Sequence, residues 1–419
     1  MQLFGNSEWL ILMTAIIWAC GDKQMEAIKR VRLSEIAALI TKGTTPTTLG
    51  YNFQEDGVNF LKIECFSEDG TYIKEKTAHI SEECHEKLKR SKLRTGDILF
   101  SIAGAIGRVA VVTEEMLPAN TNQALAIIRV TRDDIYLPYI KLILTSQIVK
   151  AQFERKKQGV AQLNISLKDI NELEIPLPEK SKQIECASLL EKISGIITAR
   201  QKQLQKLDEL VKARFSELFG DPATNPYGWQ QLTVNDVCVS VVRGPFGSAL
   251  KKEFFVPPSD TTYKVYEQKH AIQKSSTIGT YYVTAEKYNE LRRFECHSGD
   301  ILMSCSGTMG ELYQLPAGCE RGIINQALCK FTLNERILPI VFLAYMRETI
   351  GNLETKGSGI QNIAAVSYVK AMPINLPPMR VQEQYATFVE QTDKSKVAVQ
   401  KALDEAQLLF DSLMQKYFE

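Results

Sequence analysis

The chain has 419 residues, which is too long for one ordinary domain and indicates two or three. Hydrophobic residues make up 44% and charged residues 24% of it, a globular composition that excludes an intrinsically disordered protein. The formal net charge is only +1, so any surface that binds nucleic acid must be a local basic patch, offset by acidic surface elsewhere.

The first 24 residues form an N-terminal extension to which the sequence assigns no role. They contain an apolar run at residues 10–20, which is too short to span a bilayer. No Lys or Arg precedes this run, so it lacks the charged start of a signal peptide. Either the run packs as a helix, or Met25 begins the functional protein; both interpretations stay open. Because no other segment has membrane length, we predict a cytoplasmic protein without a membrane partner.

The cysteines predict reduced thiols and no metal site. Nine cysteines are scattered without any Cys-x-x-Cys pair, which is typical of a cytosolic protein. His79, Cys84 and His85 lie close together in sequence, as do Cys296 and His297, but neither group has a second ligand pair at zinc spacing.

An internal repeat determines the predicted architecture. The segment Gly-Asp-Ile-Leu-Phe-Ser at 96–101 returns as Gly-Asp-Ile-Leu-Met-Ser at 299–304, which is 203 positions later. Asn-Gln-Ala-Leu at 122–125 returns with the same offset, and Ile-Pro-Leu-Pro at 175–178 returns as Ile-Asn-Leu-Pro with an offset of 199. An ordered series of this kind predicts a tandem duplication with a unit of about 200 residues.

The first part of each repeat predicts a compact α/β domain, at residues 25–178 and 221–378. Short apolar runs such as 97–102 and 124–130 have the length of strands and are bounded by glycine turns. The segment 138–157 is predicted to be helical. We expect Gly96 and Asp97 to form a turn into a buried strand.

The second part of each repeat predicts a long amphipathic helix, at residues 179–220 and 379–419. Apolar side chains follow a heptad period in both, and Gly-Asp-Pro at 220–222 ends the first helix. Such a stripe is usually only a core face, but two matched seams in one chain can pair with each other as an antiparallel coiled coil. The predicted seam residues are Leu190, Ile193, Ile197, Leu204, Leu207, Val211, Leu218, Val389, Val399, Leu403, Phe410 and Leu413.

The sequence contains no common catalytic motif. There is no Gly-x-x-x-x-Gly-Lys-[Ser/Thr] loop for a nucleoside triphosphate and no Gly-x-Ser-x-Gly elbow. We also find no glycine-rich loop for S-adenosylmethionine and no nuclease carboxylate set. Asn-Pro-Tyr at 225–227 lacks the second proline of the amino-methyltransferase motif and is interpreted as a turn. The chain is therefore predicted to be non-catalytic and to bind no cofactor.

Loops rich in Lys, Arg, Thr and Gln recur at corresponding places in the two repeats. Small residues beside a cation let the backbone approach a phosphate, while Gln pairs with adenine and Arg or Lys with guanine. Any single residue of this kind is more often solvated surface, and Asn122 and Gln123 could simply tie loops together. The candidate DNA-binding residues are Lys42, Thr44, Thr45, Arg108, Lys157, Gln162, Arg243, Lys251, Lys252, Thr308, Lys356 and Gln361.

The combination of repeated segments resembles the specificity subunit of type I restriction–modification systems. The resemblance covers about residues 28 to 419 and includes the Gly-Asp-Ile-Leu strand, Asn-Gln-Ala-Leu, Ile-Pro-Leu-Pro with Gln183, and Leu-Phe-Gly-Asp at 218–221 before Trp229. It implies an α+β chain with two similar α/β target-recognition domains separated by two long helices that form an antiparallel coiled coil. Residues 1–24 depart from the family's pattern.

The resemblance also implies partners and a role in phage defence. Double-stranded DNA would be recognised at a bipartite target, two methyltransferase subunits would dock and methylate adenine with S-adenosylmethionine, and restriction subunits would join in some systems. Roughly 35 helical residues at about 1.5 Å each give a spacer near 50 Å. Two alternatives stay open: a coiled-coil scaffold that binds only protein, or a recognition region detached from a single-chain restriction enzyme.

Overall fold

The computed structural model describes residues 29–155, 165–350 and 366–418. The chain forms two compact units, and each is described here by itself. Unit 1 comprises the residues up to Ala199 together with those from Leu403 onward, and unit 2 comprises Arg200–Ala402. Both long helices are therefore divided between the units, whereas the predicted boundaries treat each helix as a separate segment. The N-terminal extension at 1–24 lies outside the described residues.

Unit 1 contains three small sheets and a set of mostly short helices. The strands are β1 (Arg30–Arg32), β2 (Leu39–Lys42), β3 (Val58–Leu61), β4 (Ala78–Ile80), β5 (Ile98–Ser101), β6 (Val109–Val111), β7 (Ala119–Thr121), β8 (Leu125–Arg129) and β9 (Glu174–Pro176). The helices are α1 (Leu33–Ile36), α2 (Glu82–Lys87), α3 (Leu137–Thr145), α4 (Gln147–Arg155), α5 (Leu167–Asn171) and the first half of α6 (Lys180–Phe219). The sheet orders are β2-β8-β5-β6, β4-β3-β7 and β1-β9.

The central strand β5 has three consecutive apolar residues, Ile98, Leu99 and Phe100, because both of its faces are buried. Ile98 and Phe100 pack into the main core of unit 1, which includes α3 and α4. Leu99 points to the other face, where it packs into a second cluster with Leu61 of β3. A strand covered on both sides loses the alternation of apolar and polar residues that marks a half-exposed strand.

The helical segment predicted at 138–157 is two helices, and residues 156–157 lie outside the described residues. The backbone leaves the helical conformation and becomes extended at Ser146, between α3 and α4. The hydroxyl of Ser146 donates to the carbonyl of Ile143 at 2.6 Å, and its backbone N–H donates to the same oxygen at 3.0 Å. Serine offers the backbone an alternative to the helical hydrogen bond, so the helix ends here.

Unit 2 repeats this arrangement. Its strands are β10 (Gln230–Thr233), β11 (Cys238–Arg243), β12 (Thr262–Tyr266), β13 (Tyr282–Thr284), β14 (Glu295–Cys296), β15 (Ile301–Ser304), β16 (Leu312–Gln314), β17 (Gly322–Ile324), β18 (Leu328–Leu333) and β19 (Pro373–Leu376). Its helices are α7 (Gln268–Ile272), α8 (Ala285–Glu290), α9 (Pro339–Ile350), α10 (Val366–Lys370) and the first part of α11 (Met379–Phe418). The sheet orders are β11-β18-β15-β16, β13-β12-β17-β14 and β10-β19.

The strand register confirms the predicted duplication. Ile98 pairs with Val111 and with Ile128 in unit 1. In unit 2, Ile301 pairs with Gln314 and with Phe331, and each of these partners lies 203 positions after its counterpart. The two central sheets therefore share strand order and register, not only a sequence motif.

The two long helices are each 40 residues in length, which at 1.5 Å per residue gives about 60 Å rather than the 50 Å expected. In unit 1, Leu190 near the start of α6 shares a core with Phe418 at the end of α11. In unit 2, Phe219 at the end of α6 shares a core with Tyr385 near the start of α11. These pairings are those of antiparallel helices. No described helix has both the length and the apolar content that crossing a membrane requires.

The predicted seam positions are all buried or half-buried. Leu190, Ile193, Val389, Val399 and Leu413 are buried, and the half-buried positions are Ile197, Leu204, Leu207, Val211, Leu218, Leu403 and Phe410. The heptad assignment missed Phe215 and Tyr385, which are both about 2% exposed and in ring contact, with centroids 5.9 Å apart. The two rings therefore join α6 to α11, and both also belong to the core of the α/β domain in unit 2. Tyr385 lies in heptad phase with Val399, 14 residues later, whereas Phe215 does not follow the heptad period.

Candidate nucleic-acid interface

One end of the four-stranded sheet in unit 1 gathers three of the loops singled out in the sequence. Lys42 at the end of β2 pairs with Ala126, and Ser101 at the end of β5 pairs with Leu125. The loops that follow β2 and β5 and the loop that precedes β8 therefore meet at this end of the sheet. We call it the loop end; it holds the candidates Lys42, Thr44, Thr45 and Arg108.

A glycine lets two of these loops touch. A Cβ atom at Gly43 would lie 1.8 Å from the carbonyl oxygen of Thr121, and the backbone N–H of Gly43 donates to Asn122 at 3.1 Å. In unit 2 a Cβ atom at Gly244 would lie 1.9 Å from the carbonyl oxygen of Asn325. Only glycine permits this approach, so the contact between the loops is built into both repeats.

Hydrogen bonds hold several loop-end side chains of unit 1 in place. The hydroxyl of Thr45 donates to the side-chain amide oxygen of Gln123. Arg108 is half-buried, and its guanidinium donates to the carbonyl oxygen of Phe66 at 2.8 Å. A phosphate that binds Arg108 would have to use its remaining N–H groups.

The loop end of unit 2 carries different side chains on the same frame. Arg243 ends β11 and pairs with Cys329, as Lys42 pairs with Ala126 in unit 1. It is only 7% exposed, and its Nε donates to the backbone carbonyl of Gln326 at 3.3 Å. The guanidinium lies 4.8 Å from the ring centre of Phe246, which is 61% exposed. Phe246 was not among the predicted residues. An aromatic residue next to a glycine in a loop could have indicated an exposed apolar contact site.

The remaining candidates lie at the surface or outside the described part of the chain. Lys251 and Lys252 are exposed, and Lys251 lies 3.5 Å from Glu253. Thr308 is exposed at the loop end, where its carbonyl accepts a hydrogen bond from Ser304 at 2.6 Å. Four further candidates lie outside the described residues: Lys157, Gln162, Lys356 and Gln361. Their role in DNA binding stays a prediction.

The repeated Gly-Asp segment lies at the opposite end of the sheet, where its aspartate makes buried hydrogen bonds. Asp97 is 1% exposed; it accepts from the backbone N–H of Arg94 at 2.8 Å and from the guanidinium of Arg129 at 2.7 Å. Asp300 likewise accepts from the backbone of His297 at 2.8 Å and lies 3.2 Å from the ammonium of Lys330. Each buried aspartate carboxylate has a backbone hydrogen bond and a cationic partner, as expected for a charge in the protein interior.

The histidines and cysteines singled out in the sequence have structural surroundings. His85 is buried and its Nδ1 lies 2.5 Å from the amide oxygen of Asn120. The cysteines in the described part of the chain are all free, and seven of the eight are buried. Burial raises the pKa of Cys186 and of Cys238 to about 12, so both thiols stay protonated near neutral pH.

Comparison with known proteins identifies the family. The model of the type I restriction modification DNA specificity domain matches this chain twice, at residues 25–209 and 226–406. The chain belongs to this family. Members of the family are generally non-catalytic specificity subunits.

Two curated relatives and two solved structures agree with this assignment. The chain is 23% identical over 392 residues to a protein described as the type I restriction enzyme MjaX specificity subunit of Methanocaldococcus jannaschii, covering 88% of this chain and 89% of that protein. It is 29% identical over 171 residues to the type I restriction enzyme EcoBI specificity subunit of Escherichia coli, covering 39% of this chain but only 35% of that protein.

The solved structures support the fold. A chain from a structure of type I R-M complex assembly and conformational transition superposes with a TM-score of 0.64 at 16% identity, covering 94% of this chain and 98% of that one. The crystal structure of a type I restriction–modification S subunit from M. genitalium gives a TM-score of 0.50 at 14% identity, covering 95% and 98%.

Proposed function

We propose that this chain recognises a bipartite DNA target, with one half-site read at the loop end of each unit. The proposal is supported by one observation: the two loop ends have the same strand order and register but different side chains. Lys42 and Arg243 end equivalent strands, and three positions later the chain has Thr45 in unit 1 and Phe246 in unit 2. Two domains with the same backbone arrangement but different exposed side chains are suited to recognise two different half-sites.

Each loop end supplies the groups that reading DNA requires. Lys42 and Arg243 place positive charge at the two loop ends, and the exposed glycines Gly104 and Gly247 leave nearby backbone accessible to phosphate. Gln123 and Gln326 present amide groups of the kind that bind base edges in the major groove. The exposed ring of Phe246 offers an apolar surface to a thymine methyl group or to an unstacked base.

Catalysis in this proposal belongs to partner subunits. Two methyltransferase subunits, which carry S-adenosylmethionine, dock on the chain and methylate adenine in each half-site. Restriction subunits join the same assembly in systems that also cleave DNA. This chain contributes the choice of sequence and the distance between the half-sites.

A domain exchange tests the proposal. Residues 229–377 are replaced by the corresponding segment of a relative with a different target, and the chain is expressed with its methyltransferase subunits. Sequencing of modified adenines in host DNA should show one new half-site and one unchanged half-site. If both half-sites change together, the modular assignment is wrong; salt-insensitive or absent DNA binding by the assembled complex would favour the protein-binding scaffold instead.

A further inference from the structure

The end of the unit 1 sheet opposite the loop end carries a basic cavity of about 630 Å³. It lies where β2 begins and β8 ends, since Leu39 pairs with Arg129 and both line it. The four residues of β2 separate it from the loop end by about 10–13 Å. The basic residues that line the cavity are Lys89, Arg90, Lys92, Arg94 and Arg129.

Three of these cations are available to a ligand. Arg129 is held by Asp97 at 2.7 Å, and Lys92 is paired with Glu86. Lys89, Arg90 and Arg94 are exposed. Within the described ranges, the side chains of Arg90 and Arg94 have no hydrogen bond or ion pair, and Lys89 acts on the Glu86 carboxylate only electrostatically. Five cations thus face three carboxylates, because Glu82 lies within 4.8 Å of Glu86 and of His85, which also lines the cavity. Positive charge remains in excess around the concave surface.

The same turn is basic in unit 2. Lys89 and Arg90 lie on a short 3-10 turn, and Arg292 and Arg293 lie on the equivalent turn 203 positions later. All four residues are exposed. Isolated surface cations are ordinarily just solvated, but a dibasic pair retained at one place in two otherwise divergent repeats indicates a common use.

The surroundings of the turn differ between the units. The position of Lys92 in unit 1 is occupied by Glu295 in unit 2. Glu295 accepts from Arg321 at 3.0 Å and lies 3.8 Å from Arg292. Unit 2 therefore has a carboxylate beside its turn at the position where unit 1 has the cation Lys92.

We propose that the unit 1 cavity binds backbone phosphates of the DNA next to the half-site read at the loop end, without regard to sequence. This inference rests on the proposed function. Guanidinium groups bind phosphate through paired hydrogen bonds, and a concave basic surface fits the convex DNA backbone.

The lining of the cavity favours DNA over an acidic protein. Protein interfaces are anchored by aromatic and other large apolar side chains at their centre. The apolar residues here are Leu39, Leu93, Leu117, Pro118 and Ala119. None of them is an exposed large hydrophobic residue. The side chains that a ligand can reach in this cavity are therefore mainly cationic.

The test compares two variants that remove the same charge. The first is Lys89→Gln/Arg90→Gln/Arg94→Gln, and the control is Lys74→Gln/Lys76→Gln/Lys168→Gln, which alters three other exposed cations of unit 1. Each is assembled with the methyltransferase subunits, and binding to a target duplex and to a scrambled duplex is measured from about 50 to 200 mM salt.

The cavity variant should lose affinity for both duplexes by the same factor. The slope of log affinity against log salt should become shallower by about 0.9 for each phosphate contact removed, hence by about 2–3. The modified sequence in host DNA should not change, and thermal unfolding should match that of the control.

Three results would overturn the proposal. An equal loss in the control variant would mean that only net charge matters, and an altered half-site would mean that these residues read bases. Unchanged DNA affinity with loss of the methyltransferase subunits would mark the surface as a contact for acidic protein. Failure of the proposed function is separable, because the unaltered complex would then not distinguish target from scrambled DNA.

Discussion

Thr45 and Gln123 are joined by a hydrogen bond in which the threonine hydroxyl donates to the side-chain amide oxygen. The equivalent glutamine of unit 2, Gln326, is exposed, and its side chain bonds to none of the described residues. A glutamine reads adenine by using both its amide oxygen and its amide N–H. Thr45 uses one of the two lone pairs of the Gln123 amide oxygen, whereas the side chain of Gln326 is engaged by none of the described residues.

Thr45→Val should therefore change the half-site read by unit 1 and no other. The substitution keeps the shape of the side chain but frees the amide oxygen of Gln123, so the preference at one base should shift by about 1–3 kcal/mol, towards adenine. Sequencing of modified adenines in host DNA measures this. Phe246→Leu in unit 2 is the counterpart and should affect only the other half-site; unchanged half-sites in both variants would contradict the assignment of the loop end.

The ion pair of the buried Asp97 with the half-buried Arg129 should contribute to stability. Asp97→Ala removes the acceptor for the backbone N–H of Arg94 and for the guanidinium of Arg129, which costs about 1–3 kcal/mol in the free energy of unfolding. Urea unfolding followed by circular dichroism measures the change. Asp134→Ala is the control, because Asp134 and Arg132 form an ion pair at 2.6 Å with both side chains exposed, and its loss should change stability little. Equal effects of the two substitutions would contradict the structural role of Asp97.

Unit 2 should lose stability in mild acid because of His270. Burial lowers the pKa of this histidine, whose Nδ1 accepts from the backbone N–H of Glu267 at 2.8 Å while Nε2 lies 2.7 Å from the carbonyl of Ile278. Protonation removes the acceptor. A histidine with a lowered pKa in the folded state stabilises above its unfolded value of 6.5, and that contribution is lost as pH falls through the folded value.

The measurement is unfolding of His270→Gln beside the unaltered protein between about pH 7 and pH 5. The difference in stability between the two should shrink as the pH falls. Gln273→Ala, at an exposed position directly after α7, is the control; it removes no titratable group and should leave the pH dependence unchanged. A difference for His270→Gln that stays constant across this range would show that His270 is not responsible.

The helices are predicted to set the gap between the half-sites. Inserting seven residues beside Leu204 and seven beside Leu403, which lie 199 positions apart, keeps both seams in phase. The spacer should lengthen by about 10 Å, or roughly three base pairs. The half-sites should stay the same while the gap in the modified sequence grows. Retained activity with an unchanged gap would mean that the helices do not set the spacing.

The sequence was most informative where structure depends on local spacing. The heptad period located both long helices, and the repeat offsets located equivalent strands, because periodicity and order along the chain are visible in one dimension. Phe215 was missed because it lies one position after the heptad position at 214. Tyr385 lies in heptad phase, 14 residues before Val399, and was missed because the predicted seam of α11 began only at Val389. Their burial depends on packing between segments far apart in the sequence.

The site was harder to predict for the same reason. Lys42 and Arg243 were found because each is followed directly by a glycine at the equivalent position of its repeat. The bond between Thr45 and Gln123 joins residues 78 positions apart and exists only once β2 pairs with β8. The basic cavity escaped notice because Arg129 reaches it from the end of a distant strand, and a net charge of +1 gives no hint of a local excess.

The burial of Phe418 in unit 1 has a consequence for the order of events during synthesis. The ring of Phe418 packs against Tyr139, with centroids 5.5 Å apart, and Leu413 lies in the same core. A ribosome that adds about 5–20 residues per second needs roughly 10–40 s to advance from the end of α6 to the end of α11. During that interval the core that contains Tyr139, Leu190 and Ile193 lacks Leu413 and Phe418. Unit 1, most of which is translated first, is therefore completed last.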